Sequence, residues 1–136
     1  MDLYAENILD HYKNPRHAGH LQRPTVSRRE ENASCGDDLT LELTVEDGVI
    51  TDLAWRGEGC AISQAAMSLL SEELIGETVA DAEGTTKEEI LEYLGVPVGP
   101  RRLKCALLCL HTLKNALRGL KGEEPQSWLE SVSLEN

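Results

Sequence analysis

The clearest pattern along the chain is a strict alternation from position 39 to 46. Leu39, Leu41, Leu43 and Val45 are apolar, and Thr40, Glu42, Thr44 and Glu46 between them are polar. A period of two marks a strand with one face in a core and the other toward water. Beyond Asp47-Gly48, the positions Val49, Leu53 and Trp55 share one parity, which predicts a second strand and a hairpin. Two registers compete. A two-residue Asp47-Gly48 turn sets Asp52 opposite Leu43, on the buried face. A three-residue loop over 46–48, with Gly48 left-handed, pairs Val45 with Val49, Leu41 with Leu53 and Leu39 with Trp55, and that is the register expected.

Helical spacing dominates elsewhere. Leu3, Ile8, Leu9 and Tyr12 predict a short helix over 2–13, stopped by Asn14-Pro15. Residues 14–34 show no period and carry Pro15, Gly19 and Pro24; they read as a long loop with one short strand near Thr25–Arg28. Ile62, Ala65, Ala66, Leu69, Leu70 and Leu74 predict a helix over 61–75 that Gly76 ends. Thr85 or Thr86 can cap a short helix running to about Tyr93, broken by the stretch Gly95–Pro100. The stripe Leu103, Leu107, Leu110, Leu113, Leu117 and Leu120 predicts a final helix over 103–119. The order of elements predicts an α+β fold, with helices packed on one face of a small antiparallel sheet. The 136 residues read as a single domain, its core over about 2–120 and a peripheral acidic tail over 121–136 in which Trp128 and Leu129 dock locally.

Composition narrows the function. The chain has no Phe, three Tyr and two Trp, so its core is aliphatic. The net charge is −11. Acids crowd the region from Glu30 to Glu92 against Arg56 and Lys87 alone, while Arg101, Arg102 and Lys104 form a short basic cluster. Nucleic acid would need a broad positive surface, which this balance does not offer. No apolar run is long enough to span a membrane, and the N-terminus lacks the basic and apolar regions of a signal peptide. The expected location is the cytoplasm, where four cysteines point to metal or redox chemistry rather than a disulfide framework.

Three of those cysteines stand at element boundaries. Cys35-Gly36-Asp37 enters the first strand, and Gly36 lets the backbone bend so that thiolate and carboxylate reach a common point. Cys60 follows Gly57-Glu58-Gly59 and precedes a helix, and Cys105 falls in the first turn of the last one. A helix N-terminus lowers a thiol's pKa, favouring the metal-binding thiolate. Three thiolates and a carboxylate fill a four-coordinate site suited to zinc or to a cluster iron. No CxxC pair is present, so spacing alone does not mark a zinc ribbon. Cys109, one turn beyond Cys105 in an apolar helix, reads as core. Lys104 reads equally as a solvated lysine or as a cation that stabilises the neighbouring thiolate. His11, His17, His20 and His111 are assigned no metal.

These residues resemble the IscU/SufU family of iron–sulfur cluster assembly scaffolds, over about Tyr4 to Leu120. His11-Tyr12-Lys13-Asn14-Pro15-Arg16-His17-Ala18-Gly19 is similar to the family's HY-x-NPR-x-x-G element. Asn32-Ala33-Ser34-Cys35-Gly36-Asp37 resembles N-P-x-C-G-D, with Ala33 in place of proline. Gly57-Glu58-Gly59-Cys60-Ala61-Ile62-Ser63 and Lys104-Cys105-Ala106-Leu107-Leu108 resemble the second- and third-cysteine segments. The resemblance implies the SufE/IscU-like sandwich fold and a site of Cys35, Asp37, Cys60 and Cys105 that holds zinc or a 2Fe–2S cluster. It implies that Cys105 receives sulfur from a cysteine desulfurase, that Asp37 keeps the cluster labile, and that apo iron–sulfur proteins take it up. The main expectation is therefore a scaffold rather than an enzyme, working as a monomer or weak dimer. The alternative is a SufU-type zinc-dependent sulfurtransferase. Lys104 stands where the IscU branch usually has histidine, as in the SufU branch, yet the interval between the second and third cysteines is short for SufU. Val98-Gly99-Pro100-Arg101-Arg102 does not preserve the L-P-P-V-K chaperone motif of the IscU branch. A structural zinc protein without sulfur chemistry is the third class, disfavoured because a permanent site would use a closed Cys/His set.

Overall fold

The computed structural model describes residues 3–134. Helix α1 (Leu3–Lys13) leads into strands β1 (Val26–Asn32), β2 (Asp37–Glu46) and β3 (Val49–Glu58). Helices α2 (Ala61–Leu74), α3 (Val79–Glu83) and α4 (Lys87–Leu94) follow. A 3₁₀ turn (Pro100–Arg102) then runs into α5 (Leu103–Leu120), and α6 (Trp128–Val132) closes the chain. The strands form one antiparallel sheet in the order β1-β2-β3. Helix α5 lies against β1 and β2, and α2 against β3. This is the expected α+β arrangement. Leu39, Leu41 and Leu43 of β2 are fully buried in one apolar cluster with Met67 and Leu70 of α2 and Leu107 and Leu110 of α5.

The hairpin takes neither simple register. Asp47 (φ 52°) and Gly48 (φ 76°) make a two-residue turn with both φ positive, the geometry that suits strand twist. Glu46 pairs with Val49 and Val45 with Ile50, and then a bulge intervenes, so that Thr44 pairs with Asp52, Leu43 with Leu53 and Leu41 with Trp55. The expected pairs Leu41–Leu53 and Leu39–Trp55 are thus wrong by two residues, and the expected Val45–Val49 by one. An unbulged two-residue turn would have buried the Asp52 carboxylate, at a cost of several kcal/mol per unpaired ion. Leaving Thr51 unpaired is far cheaper, and it turns Ile50 into the core while Asp52 stays exposed.

Strand β1 runs from 26 to 32, longer than the expected Thr25–Arg28 and set in what looked like a loop. Its burial does alternate, but the inward side chains after Val26 are Arg28, Glu30 and Asn32. Polarity at those positions hides the period. Glu30 is accommodated because His111 Nε2 lies 3.3 Å away, Asn115 Nδ2 donates at 2.9 Å and Arg28 Nε donates at 2.6 Å. The rest of the 14–25 segment is pinned rather than loose. Trp55 Nε1 and Ser71 Oγ both donate to the Arg16 carbonyl, and Leu21 N–H donates to Glu42 on the sheet's outer face.

The helices match their expected bounds within a residue or two, except that Asp2, the expected first residue of α1, lies outside the described residues. Among the described side chains of α1, Ile8 and His11 are buried, while Leu3, Leu9 and Tyr12 are exposed. Helix α4 begins with a Thr86–Glu89 capping box and ends on left-handed Gly95. Helix α3 was not expected; at five residues it is too short to show a period. In the tail, Trp128 docks by stacking on His111 with ring centroids 4.3 Å apart, and Leu129 does not dock, being 58% exposed. Among the described residues no helix is long and apolar enough to cross a membrane.

Burial pushes the Glu30 carboxyl up, but the hydrogen bonds from His111, Asn115 and Arg28 outweigh it and hold the pKa at about 2. A folded-state value below the unfolded 4.5 gives stability that is full above about pH 4.5 and lost as pH falls toward 2. Glu30→Gln is expected to lower unfolding free energy at pH 6 on the order of 2–3 kcal/mol, with the gap to the parent closing by about pH 2. Urea titrations of both chains across that range measure it. A gap that stays constant with pH would show that the ionised carboxylate adds no stability.

Candidate metal centre

Three element ends converge at one edge of the sheet. Strands β1 and β2 are joined by residues 33–36, a tight connection closed by the cross-strand pair Asn32 and Asp37. Gly36 takes φ +73°, and the Cys35 and Gly36 N–H groups both donate to the Asn32 carbonyl, at 3.2 and 3.0 Å. That turn leaves Cys35 exposed and Asp37 1% exposed. Cys60 is the N-cap of α2 and makes no side-chain capping bond, so its thiol is free. Cys105 is the third residue of α5, delivered by the Pro100–Arg102 turn and 3% exposed.

Cys35, Asp37 and Cys105 each offer one ligand atom, and these lie within 4.8 Å of one another. Cys60 Sγ falls outside that mutual set. The residue reaches the site by another route: its backbone N–H donates to Asp37 Oδ1 at 2.9 Å. The second carboxylate oxygen, Asp37 Oδ2, is buried with no hydrogen-bond partner among the described residues. A buried oxygen without a donor typically costs about 1–3 kcal/mol, more for a charged group. A cation between the carboxylate and the thiols would supply the missing partner, so the donor set fits a metal.

Cys105 does not gain the lowered pKa expected at a helix start: burial first, and then the neighbouring Asp37, Cys35 and Cys60, push its thiol well above the usual range. Cys105 stands in the first turn of α5, but at 3% exposure its thiolate loses more in hydration than the helix end returns. Cys109 is the inert core thiol expected: fully buried, with Sγ donating to the Ala106 carbonyl and burial pushing it up to about 12. Lys104 points elsewhere than Cys105, its Nζ lying 5.4 Å from the centre of the Trp128 ring. His11 binds Ser68 Oγ through Nδ1 at 2.7 Å, and His111 binds Ser131 Oγ at 2.6 Å. Both are structural, and neither belongs to the cluster.

Two features of the site were missed in the sequence. Asn32 is 3% exposed, and its Nδ2 faces Cys105 Sγ at 3.9 Å; only a strand at 26–32 reveals it. Gly59, with φ +145°, passes so close to Asp37 that a Cβ there would stand 2.1 Å from Oδ1. The Gly-x-Gly before Cys60 was the available signal.

Residues 3–126 match the family described as the NifU-like N terminal domain. Iron-sulfur cluster assembly scaffold protein IscU of Thermotoga maritima is 38% identical over 133 residues, which take in 85% of this chain and 93% of that protein. Zinc-dependent sulfurtransferase SufU of Bacillus subtilis is 31% identical over 139 residues, covering 90% and 92%. Among solved structures, a candidate iron–sulfur cluster assembly scaffold for the SUF system of Fervidobacterium islandicum superposes with a TM-score of 0.69 at 31% identity, over 82% of this chain and 94% of that one. The N-terminal part of a NifU-like protein from Brucella abortus shares the fold at a TM-score of 0.73 and 23% identity, over 90% and 96%.

Gly59→Ala combines an unfavourable φ with a clash against Asp37, and is expected to destabilise the chain by about 1–3 kcal/mol. Chemical denaturation of parent and variant reads this directly. A variant as stable as the parent would mean that the Gly59–Asp37 contact yields without cost.

Proposed function

This chain belongs to the NifU-like N-terminal domain family, and from that membership together with the site we propose that it is an iron–sulfur cluster assembly scaffold. It takes sulfur from a cysteine desulfurase, assembles a labile cluster on Cys35, Asp37, Cys60 and Cys105, and passes it to apo iron–sulfur proteins. The observation that carries the reading is Asp37 Oδ2, buried without a partner among the described residues, on a carboxylate that lies within 4.8 Å of the Cys35 and Cys105 thiols. Thiolates are the usual ligands of such clusters, and a harder carboxylate oxygen holds soft cluster iron less tightly. Cargo that must leave calls for one weak ligand. Cys35, exposed at its turn, gives the cargo a way in and out.

Cys105 is the sulfur acceptor in this reading. The sulfane sulfur of a donor persulfide passes to the Cys105 thiolate, and the donor departs as its own thiolate. Reaching the thiolate from so raised a thiol needs a cation or a base nearby. Zinc at the same residues would supply that positive charge, and Asp37 is the oxygen placed to give way. Lys104 supports a second reading, in which the chain holds zinc and acts as a sulfurtransferase, because a lysine beside the third cysteine is a mobile cation for an anionic sulfur. Both readings place the protein in the cytoplasm with a desulfurase as partner, without nucleic acid or membrane.

Metal analysis and absorption spectra before and after incubation with desulfurase, cysteine and ferrous iron separate the two. A cluster chromophore that moves to apo-ferredoxin is the scaffold's result. Tightly held zinc, no chromophore and faster desulfurase turnover is the sulfurtransferase's, and zinc with no effect on either assay would refute both. Within the scaffold reading, Asp37→Ala is expected to slow transfer to apo-ferredoxin. Equal transfer rates for variant and parent would remove that role from Asp37. Cys109→Ser should transfer as the parent does.

A further inference from the structure

Asn32 and Asp37 face each other as the pair that closes the Cys35 turn. Opposed residues of an antiparallel pair project to the same face of the sheet, and here that face is the one against which Cys105 packs. Both side chains are buried, at 3% and 1% exposure. One is a hydrogen-bond acceptor. The other carries an amide donor.

We propose that Asn32 is a positioning residue of the metal centre, its amide N–H holding the Cys105 sulfur and stabilising the charge that sulfur carries when it binds metal. The inference rests on the metal-binding reading above and adds a residue outside the ligand set. Asn32 Nδ2 lies 3.9 Å from Cys105 Sγ, and that sulfur is the amide's one hydrogen-bond partner among the described residues. At this distance the bond to a neutral thiol is weak. A metal-bound thiolate is a stronger acceptor, and charge-assisted bonds are shorter and roughly twice as strong as neutral ones.

Asn32 also carries the turn, since its carbonyl accepts the N–H groups of Cys35 and Gly36. That backbone role survives any substitution that leaves the strand in place, so the amide can be tested separately.

Outer-sphere hydrogen bonds to metal ligands are typically worth about 10–100-fold in metal affinity. Asn32→Leu keeps the side chain's size and removes the donor, and Asn32→Ala serves if the leucine variant does not fold. Zinc competition against a chromophoric chelator should show binding weakened by about tenfold or more. The thiolate-to-cobalt charge-transfer band of the Co(II) form should move to lower energy, because a sulfur that loses its N–H donor is more electron-rich. A merely structural Asn32 would lower the melting temperature of the metal-free chain and leave the band where it was. Zinc affinity within twofold of the parent and an unmoved band would overturn the proposal while leaving the metal reading intact. A parent chain whose Co(II) form has no thiolate band would overturn both.

Discussion

The Asp37 carboxylate is buried to 1% exposure, and its two oxygens have opposite fates. Oδ1 accepts the Cys60 N–H at 2.9 Å, and Oδ2 accepts nothing among the described residues. Much of the surrounding backbone is arranged around that one group. Residue 59 must be glycine, because a Cβ would overlap Oδ1. The turn before Asp37 needs a left-handed Gly36, with Asn32 closing it. The first residue of β2 and the N-cap of α2 are locked together by a single bond, which fixes Cys35 and Cys60 relative to each other although 23 residues separate Asp37 from Cys60.

The third cysteine is brought in by a different device. Helix α5 lies across β1 and β2, and buried leucines hold it there. Apolar packing is non-directional, so it sets the helix on the sheet without fixing its position along the strand. Directional bonds complete the job. Glu30 of β1 meets His111 and Asn115 of α5, and His111 in turn meets Ser131 and Trp128 of α6. Two residues further along β1 on the same face, Asn32 reaches Cys105. The strand that carries the Cys35 turn is therefore tied to the helix that carries Cys105 by polar contacts at both 30 and 32.

Much of this was legible in advance, and the failures share a cause. Strand β2 and helices α2 and α5 show hydrophobic periods because their inward positions are apolar. Strand β1 has the same period in burial, with Arg28, Glu30 and Asn32 inward, so no hydrophobic scale detects it. The hairpin register was misjudged because a choice between two regular turns left out the bulge at Thr51, which satisfies the Asp47-Gly48 turn and the Leu43–Leu53 pairing together. The acidity expected of Cys105 came from local helix position, whereas its neighbours Asp37, Cys35 and Cys60 come from other elements. Long-range electrostatics cannot be read from a segment alone. The four proposed ligands were recoverable because each stands at an element boundary. Asn32 was not, because the boundary it occupies belongs to the hidden strand.

Lys104 shows how a residue beside the site can be kept available without being committed. Its ammonium lies over the ring of Trp128, a residue of α6 just beyond the family match at 126. Between half-buried residues such as these, a cation–π contact is worth about 0.5–2 kcal/mol. An anionic sulfur about 4 Å from the ammonium would attract it by roughly 4 kcal/mol at an effective dielectric of 20. On the proposed function, the ring would hold the lysine while the Cys105 thiol is neutral and would lose it to a charged sulfur formed there. The balance also runs in reverse, because a metal ion that draws on the sulfur's charge weakens its pull on the ammonium. On the proposed function, α6 gives the lysine a resting place whose strength falls between those two states. That is the energetic condition for a cation that assists sulfur arrival and withdraws when metal takes its place.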